Sequence, residues 1–175
     1  MDRQWSGRES ASVGHLGQRL PLAMWGGAHY VRDMRIADVI RTKGDLVLTV
    51  RPDDTVARVI ELLEDKGIGA LVVSEDGTSV VGIVSERDVV RNLHRVGGAV
   101  LDRLVSSIMT ADVYTCRPDD DVEEVARQMT ERRFRHVPVV VDSQLRAIVS
   151  IGDIVKNRID ALQLERDQLV GYIQQ

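Results

Sequence analysis

The chain has 175 residues, of which 43% are hydrophobic, 29% are charged and only 3% are aromatic, so its core must be aliphatic. A net charge of −4 argues against a protein that coats nucleic acid, and no apolar run reaches the ~18 residues of a membrane span. The single cysteine, Cys116, excludes an intrachain disulfide and a CxxC zinc site, and the four His residues lack metal-ligand spacing. As a lone thiol on a predicted strand, Cys116 is expected to be a small buried hydrophobe.

Residues 1–33 differ from the rest of the chain. They are rich in Gly, Ser and Arg and show no period, which is typical of a disordered extension. The mildly apolar stretch Leu20–Ala28 is interrupted by Pro21, Gly26 and Gly27, so it makes a weak signal-peptide core. An amphipathic pattern begins at Met34, which is also a candidate natural start. We expect the folded part of the chain to begin there.

From Met34 onward, short helices and strands alternate. A helix is predicted first, then a strand, an Arg-Pro-Asp-Asp turn, and a helix whose apolar residues recur at helical spacing from Val56 to Leu63. Two apolar runs separated by polar turn residues then predict a hairpin, and a second helix follows Ser85. The predicted bounds are Met34–Arg41 for the first helix and Leu46–Val50, Ala70–Val73 and Val80–Val84 for the strands.

The same order recurs later in the chain. Arg51–Asp54 (RPDD) recurs as Arg117–Asp120, an offset of 66, and Ile83–Ser85 (IVS) recurs as Ile148–Ser150, an offset of 65. Because a duplication fixes the architecture, we predict two β-α-β-β-α repeats of class α+β (α/β), at residues 34–98 and 99–160. The short elements predicted in the second copy are a helix over Leu104–Met109 and strands over Val113–Cys116, Val137–Val141 and Leu145–Val149.

Each repeat is too small to stand alone. About 60 residues give a marginal core, and two helices cannot cover both faces of a three-stranded sheet. We therefore expect the repeats to pack sheet to sheet with pseudo-twofold symmetry, which creates two equivalent clefts where a ligand could bind.

The C-terminal segment Gly152–Gln175 predicts one helix of about 24 residues, roughly 36 Å long, whose last part, 161–175, forms an extension. One side of this helix is apolar, with Arg166 interrupting the stripe. Two interpretations remain open, packing on its own module or a contact in a homodimer. The stripe consists of Val155, Ile159, Leu162, Leu169 and Ile173.

Two segments carry a family resemblance. Gly82–Asp88 (GIVSERD) and Arg135–Val140 (RHVPVV), in two ordered copies, resemble the CBS domain family, whose tandem repeats form a Bateman module. The resemblance covers about Met34–Ile159, and Ser150–Lys156 followed by a long polar helix is similar to stand-alone bacterial and organellar pairs. It implies binding of an adenosyl nucleotide such as AMP, ATP, NAD(H) or S-adenosylmethionine, and regulation rather than catalysis.

A Ser-x-x-Asp pattern occurs at both strand-to-helix junctions, as Ser85 with Asp88 and as Ser150 with Asp153. One interpretation is a helix cap that resembles a capping box. The other, compatible with the first, is ribose binding, because two carboxylate oxygens match two adjacent hydroxyl donors. The Ser hydroxyl and the first helical N–H groups could hold phosphate. The family resemblance assigns ribose to the two Asp residues and ribose or phosphate to the two Ser residues.

The resemblance also implies phosphate and adenine contacts. Arg135 and His136 can reach a phosphate or form a solvated basic pair; their first-repeat counterparts, Gly69 and Ala70, carry no charge, so the clefts are predicted to be unequal. Arg87 is a further candidate, for phosphate or for an acidic neighbour. The adenine is expected to bind mainly through the backbone near Thr49, Ile68, Ala70, Thr115, Phe134 and Val137.

The sequence therefore predicts a cytoplasmic regulatory protein that senses an adenosyl nucleotide between its repeats and signals in trans to a protein partner. We expect no catalytic cofactor, metal, nucleic acid or membrane, and a homodimer as the assembly. The alternative is a redox-linked protein that modulates a thioredoxin-like partner with little nucleotide dependence. An enzyme is disfavoured because no nucleophile–base pair is recognisable.

Overall fold

The computed structural model describes residues 34–43 and 47–173. The expectations for residues 1–33, and for the first residue of the strand predicted at Leu46, fall outside this range. The helices are α1 (Ile36–Lys43), α2 (Val56–Lys66), α3 (Glu86–Val96), α4 (Val122–Arg132) and α5 (Ile151–Ile173). The strands are β1 (Thr49–Val50), β2 (Ala70–Val73), β3 (Gly82–Ser85), β4 (His136–Val141) and β5 (Gln144–Ser150). The mixed α+β class and the long C-terminal helix are confirmed.

Each repeat contains a small sheet. In the first, β2 lies between β1, which is parallel to it, and β3, which is antiparallel. In the second, β4 and β5 form an antiparallel pair, and Cys116 makes an isolated parallel bridge to Val139 in the place that β1 occupies in the first repeat. The predicted strand Val113–Cys116 is thus reduced to one bridge, because only Cys116 exchanges backbone hydrogen bonds with β4.

The repeated Arg-Pro-Asp-Asp turns close in the same way. The second Asp of each turn, Asp54 or Asp120, accepts a hydrogen bond from the backbone N–H of the Arg three residues earlier, at 2.7 and 2.8 Å. Each following helix then has its own N-cap: Thr55 accepts from the backbone of α2, and Asp121 accepts from the backbone of α4. Such caps satisfy N–H groups that a helix leaves unpaired.

The two hydrophobic cores are built by exchange between the repeats. Helix α1 opens the first repeat, but its buried residues Ile36 and Val39 pack with Val125 and Met129 in the second core. Reciprocally, Val100, Val105 and Ile108, from the opening segment of the second repeat, lie in the first core.

The two exchanged segments are held in place by matching backbone hydrogen bonds. The amide of Val105 donates to the carbonyl of Asp54 at 2.8 Å, and the amide of Ile36 donates to the carbonyl of Asp120 at 3.0 Å. In place of the predicted helix Leu104–Met109, the structure has a short 3-10 turn, Val105–Ser107, because this segment extends along the N-terminus of α2. The repeats are therefore related by a pseudo-twofold arrangement.

Candidate functional site

The junction between β3 and α3 brings Ser85 and Asp88 together. The backbone N–H and the hydroxyl of Ser85 both donate to Oδ2 of Asp88, at 2.9 and 2.5 Å, within a capping box. The capping interpretation is therefore confirmed here. Because these bonds all use Oδ2, the Oδ1 atom of Asp88 takes no part in the cap and is an acceptor that a hydroxyl could use.

The junction between β5 and α5 repeats this geometry. The backbone N–H and the hydroxyl of Ser150 donate to Oδ2 of Asp153 at 2.8 and 2.7 Å, and the backbone N–H of Asp153 donates to the Ser150 hydroxyl at 3.1 Å. Both predicted Ser–Asp pairs thus occupy equivalent places in the two repeats. Both are part-buried and lie where a strand passes into a helix.

Asp153 has a further partner that the sequence did not reveal. Nζ of Lys43, the last residue of α1, lies 2.7 Å from Oδ2 of Asp153 and 3.0 Å from the carbonyl oxygen of Ile148. Partial burial opposes ionisation of Asp153, but the hydrogen bonds from Lys43 and Ser150 outweigh it and lower the pKa of the carboxyl group. The second site therefore contains an ion pair.

The first repeat satisfies the corresponding carbonyl differently. Ile83, the counterpart of Ile148, exchanges backbone hydrogen bonds with Thr110 at 2.9 and 3.0 Å. The residue 66 positions after Lys43 is Met109, whose Sδ packs against Gly82. A backbone N–H thus does in the first repeat what an ammonium group does in the second.

The starts of β2 and β4 meet between the repeats. Half-buried His136 pairs with Ser150 in the register of β4 and β5, and its ring lies against Gly69. Burial lowers the pKa of His136, and the charge of Lys43 lowers it further, whereas Asp153 and Glu86 oppose this shift. The imidazole is therefore predominantly neutral at pH 7. Its backbone neighbour Arg135 is exposed.

Two of the expected anion contacts are constrained by hydrogen bonds that the protein itself makes. The first N–H of each helix is not available for phosphate, because that of Glu86 donates to the Gly69 carbonyl and that of Ile151 donates to the Arg135 carbonyl. At each junction the start of the helix is therefore hydrogen-bonded to the residue that directly precedes the first strand of the hairpin. Among the described residues no acidic side chain pairs with Arg87, whose guanidinium donates to the carbonyl of Arg133 in the opposite repeat at 3.1 Å.

The residues expected around adenine do not all come together. Ala70 and Val137 are buried, Thr49, Ile68 and Phe134 are half-buried, and Phe134 stacks on Tyr114 with ring centroids 5.3 Å apart. Thr115 instead lines an open depression of about 480 Å³ with Asp142 and Ser143, near the β4–β5 hairpin. Ser150 and Asp153 lie at the other end of β5, so the structure does not group Thr115 with them.

Among the described residues, no helix combines the length and the hydropathy that crossing a membrane requires. In the same part of the chain, no group of three or more His, Cys, Asp or Glu side chains is arranged to hold a metal ion.

Comparison with known proteins gives consistent matches. The chain is 33% identical over 147 residues to the mitochondrial CBS domain-containing protein CBSX3 of Arabidopsis thaliana, covering 79% of this chain and 71% of that protein. The crystal structure of a CBS-domain containing protein from Agrobacterium tumefaciens has 40% identity and a TM-score of 0.69, covering 71% of this chain and 99% of that one.

A further solved structure is a CBS domain pair in complex with 5′-methylthioadenosine and S-adenosyl-L-methionine. It shares 25% identity with a TM-score of 0.62, and covers 70% of this chain and 94% of that one. The family model described as the CBS domain matches twice, at residues 33–95 and 105–160, once for each repeat. The chain therefore belongs to the CBS domain family.

Proposed function

We propose that this chain is a regulatory sensor of adenosyl nucleotides of the AMP, ATP or NADH type, with no catalytic role and no catalytic cofactor. The observation that carries the proposal is the duplicated Ser–Asp junction, at Ser85 with Asp88 and at Ser150 with Asp153. Each capped carboxylate keeps an oxygen that could accept a ribose hydroxyl. The CBS domain pair solved with adenosyl ligands supports this ligand class.

In this proposal, Asp88 and Asp153 bind ribose. Arg135 and His136 approach phosphate in the second cleft, where the first repeat has the uncharged Gly69 and Ala70. Exposed Arg135 can reorient without breaking a core contact, and neutral His136 can donate one hydrogen bond. Arg87 would first have to release the Arg133 carbonyl.

The regulatory mechanism is linkage between ligand and conformation. A ligand that contacts both repeats favours the relative arrangement that it binds better, and a partner that distinguishes the arrangements reads the change. The exchanged segments support such coupling. Helix α1 packs in the core of the second repeat, and the next element along the chain, β1, belongs to the first repeat. We propose that the partner is a protein acting in trans.

We also propose that the chain forms a homodimer through α5. Exposed apolar residues recur along this helix at intervals of four, three, seven and four residues, which is the spacing of a coiled-coil seam with Arg166 at one of its positions. Replacing Leu162, which is 48% exposed, by Glu should convert a dimer to a monomer in light scattering coupled to size exclusion. The residues of the seam are Val155, Ile159, Leu162, Leu169 and Ile173.

The competing proposal is a redox-linked protein that modulates a thioredoxin-like partner. Burial and the nearby Asp120 raise the pKa of the Cys116 thiol to about 12, which opposes thiolate chemistry at this residue. Capture of such a partner with no dependence on nucleotide would favour this alternative.

We propose a cytoplasmic location for this chain. Because CBSX3 is mitochondrial, cell fractionation should compare both compartments.

The test is a thermal-shift titration with AMP, ATP, NADH and S-adenosylmethionine. At 100 times Kd, binding to the native state adds about 2.7 kcal/mol, so Tm should rise by several degrees. Asp153→Asn keeps the shape of the cap but replaces one acceptor oxygen with a donor, so it should remove most of the rise at the second cleft. Asp65→Asn, on the exposed face of α2, is the control. No rise with any of these ligands would overturn the proposal.

A further inference from the structure

The ion pair between Lys43 and Asp153 joins elements that are far apart in the chain. Lys43 ends α1, and α1 packs into the core of the second repeat through Ile36 and Val39. That packing brings Nζ to within 2.7 Å of the carboxylate that the proposed function assigns to ribose. The two side chains are 36% and 25% exposed, so water and a ligand can reach the pair.

This ammonium has no counterpart in the first repeat. There the equivalent residue is Met109, and the equivalent carbonyl, at Ile83, is bonded by the backbone N–H of Thr110. Among the described residues, the carboxylate of Asp88 accordingly accepts hydrogen bonds from Ser85 alone. The two clefts therefore differ in charge at the position closest to the ribose carboxylate.

Oδ2 of Asp153 already accepts three donors, two from Ser150 and one from Lys43. Oδ1 of Asp153 can accept one ribose hydroxyl, but a second hydroxyl that engages Oδ2 must compete with the ammonium group. An uncharged nucleoside would break the ion pair without supplying an anionic partner for the displaced ammonium group of Lys43. A ligand with a phosphate offers it an anion of charge about −1.5 to −2, a stronger partner than a carboxylate.

We propose that Lys43 makes the second cleft selective for adenosine ligands that carry a 5′-phosphate. This inference rests on the proposed function and specifies its ligand class at one cleft. Lys43 holds Asp153 in the free protein and transfers to the phosphate when the ribose binds. The charges of Lys43 and Arg135, and those of the acids Asp153 and Glu86, all act on the imidazole of His136, so these groups lie near one another. In the first repeat Met109 stands at the position that corresponds to Lys43, so the first cleft should discriminate less.

The experiment isolates the second cleft with Asp88→Asn and compares AMP with adenosine by isothermal titration calorimetry. AMP should bind at least about 10-fold more tightly, the worth of one charge-assisted hydrogen bond. Lys43→Met keeps the length of the side chain and should bring the ratio of the two affinities below about 3-fold. Lys43→Arg should retain the preference. Lys66→Met, at the exposed end of α2, is the matched control.

The outcomes separate the two proposals. If AMP binds and Lys43→Met leaves the ratio unchanged, the inference about Lys43 is wrong and the sensor proposal stands. Loss of all AMP binding in Asp88→Asn would also overturn it, because the second cleft would then not be the site. If neither AMP nor adenosine binds the unsubstituted chain, and the other nucleotides also fail, both proposals are overturned. Unchanged circular dichroism of Lys43→Met excludes a folding defect as the cause.

Discussion

Replacing Ile36 by Ala tests the exchanged packing. Ile36 is fully buried, although its helix opens the first repeat and packs in the core of the second. The substitution removes three carbon atoms, worth roughly 0.8 kcal/mol each in transfer free energy, and leaves a cavity. We expect the free energy of unfolding to fall by about 3–4 kcal/mol and Tm to fall by roughly 10 °C.

Urea unfolding followed by circular dichroism measures the loss, and hydrogen exchange locates it. Because Ile36 packs with Val125 and Met129, amides of α4 and β4 should exchange faster in the variant. The control is Ile60→Ala on α2, where the side chain is 37% exposed and the loss should be about 1 kcal/mol or less. A loss no larger than the control's would refute the reasoning, as would faster exchange confined to β1, β2 and β3.

Three further predictions concern single sites. Gly82→Ala should destabilise the fold by about 1–2 kcal/mol, since its Cβ would lie 2.6 Å from Sδ of Met109, while Gly98→Ala, with open space around it, should change urea stability little. Cys116 should react with a thiol reagent at pH 8 only after unfolding, because burial raises its pKa to about 12; rapid labelling of the native state would contradict this. Burial lowers the pKa of His136 below 6.5, so the unfolded chain binds a proton at a higher pH than the folded chain does. The free energy of unfolding should therefore fall as the pH drops through 6.5. His136→Asn should flatten the dependence of Tm on pH between about 7.5 and 5.

The repeat made much of the fold and part of the site predictable. An offset of 65–66 residues aligned the Arg-Pro-Asp-Asp turns and both Ser–Asp junctions, and a local spacing of three residues is enough to define a cap. For that reason Ser85 with Asp88 and Ser150 with Asp153 could be paired from the sequence. Local hydrogen bonds follow local sequence.

Contacts between residues that are far apart in the sequence could not be predicted. The apolar period of α1 indicates that one face is buried, but it does not say in which core. The pair between Lys43 and Asp153 spans 110 residues, and a lysine at a helix end is equally compatible with a simple C-terminal charge. The sequence pattern also did not show that Thr115 lies beside the β4–β5 hairpin, where it lines the open depression.

The crossing of α1 and of residues 100–108 constrains how such a chain could have arisen. A fragment that stops at Gly98 would lose Val100, Val105 and Ile108 from its own core and would carry Ile36 with nothing to cover it. A single-repeat ancestor with this packing could have completed its core only by exchanging its N-terminal segment with that of a second copy, as domain-swapped dimers do. Gene fusion would then have tied together two chains that were already interlocked.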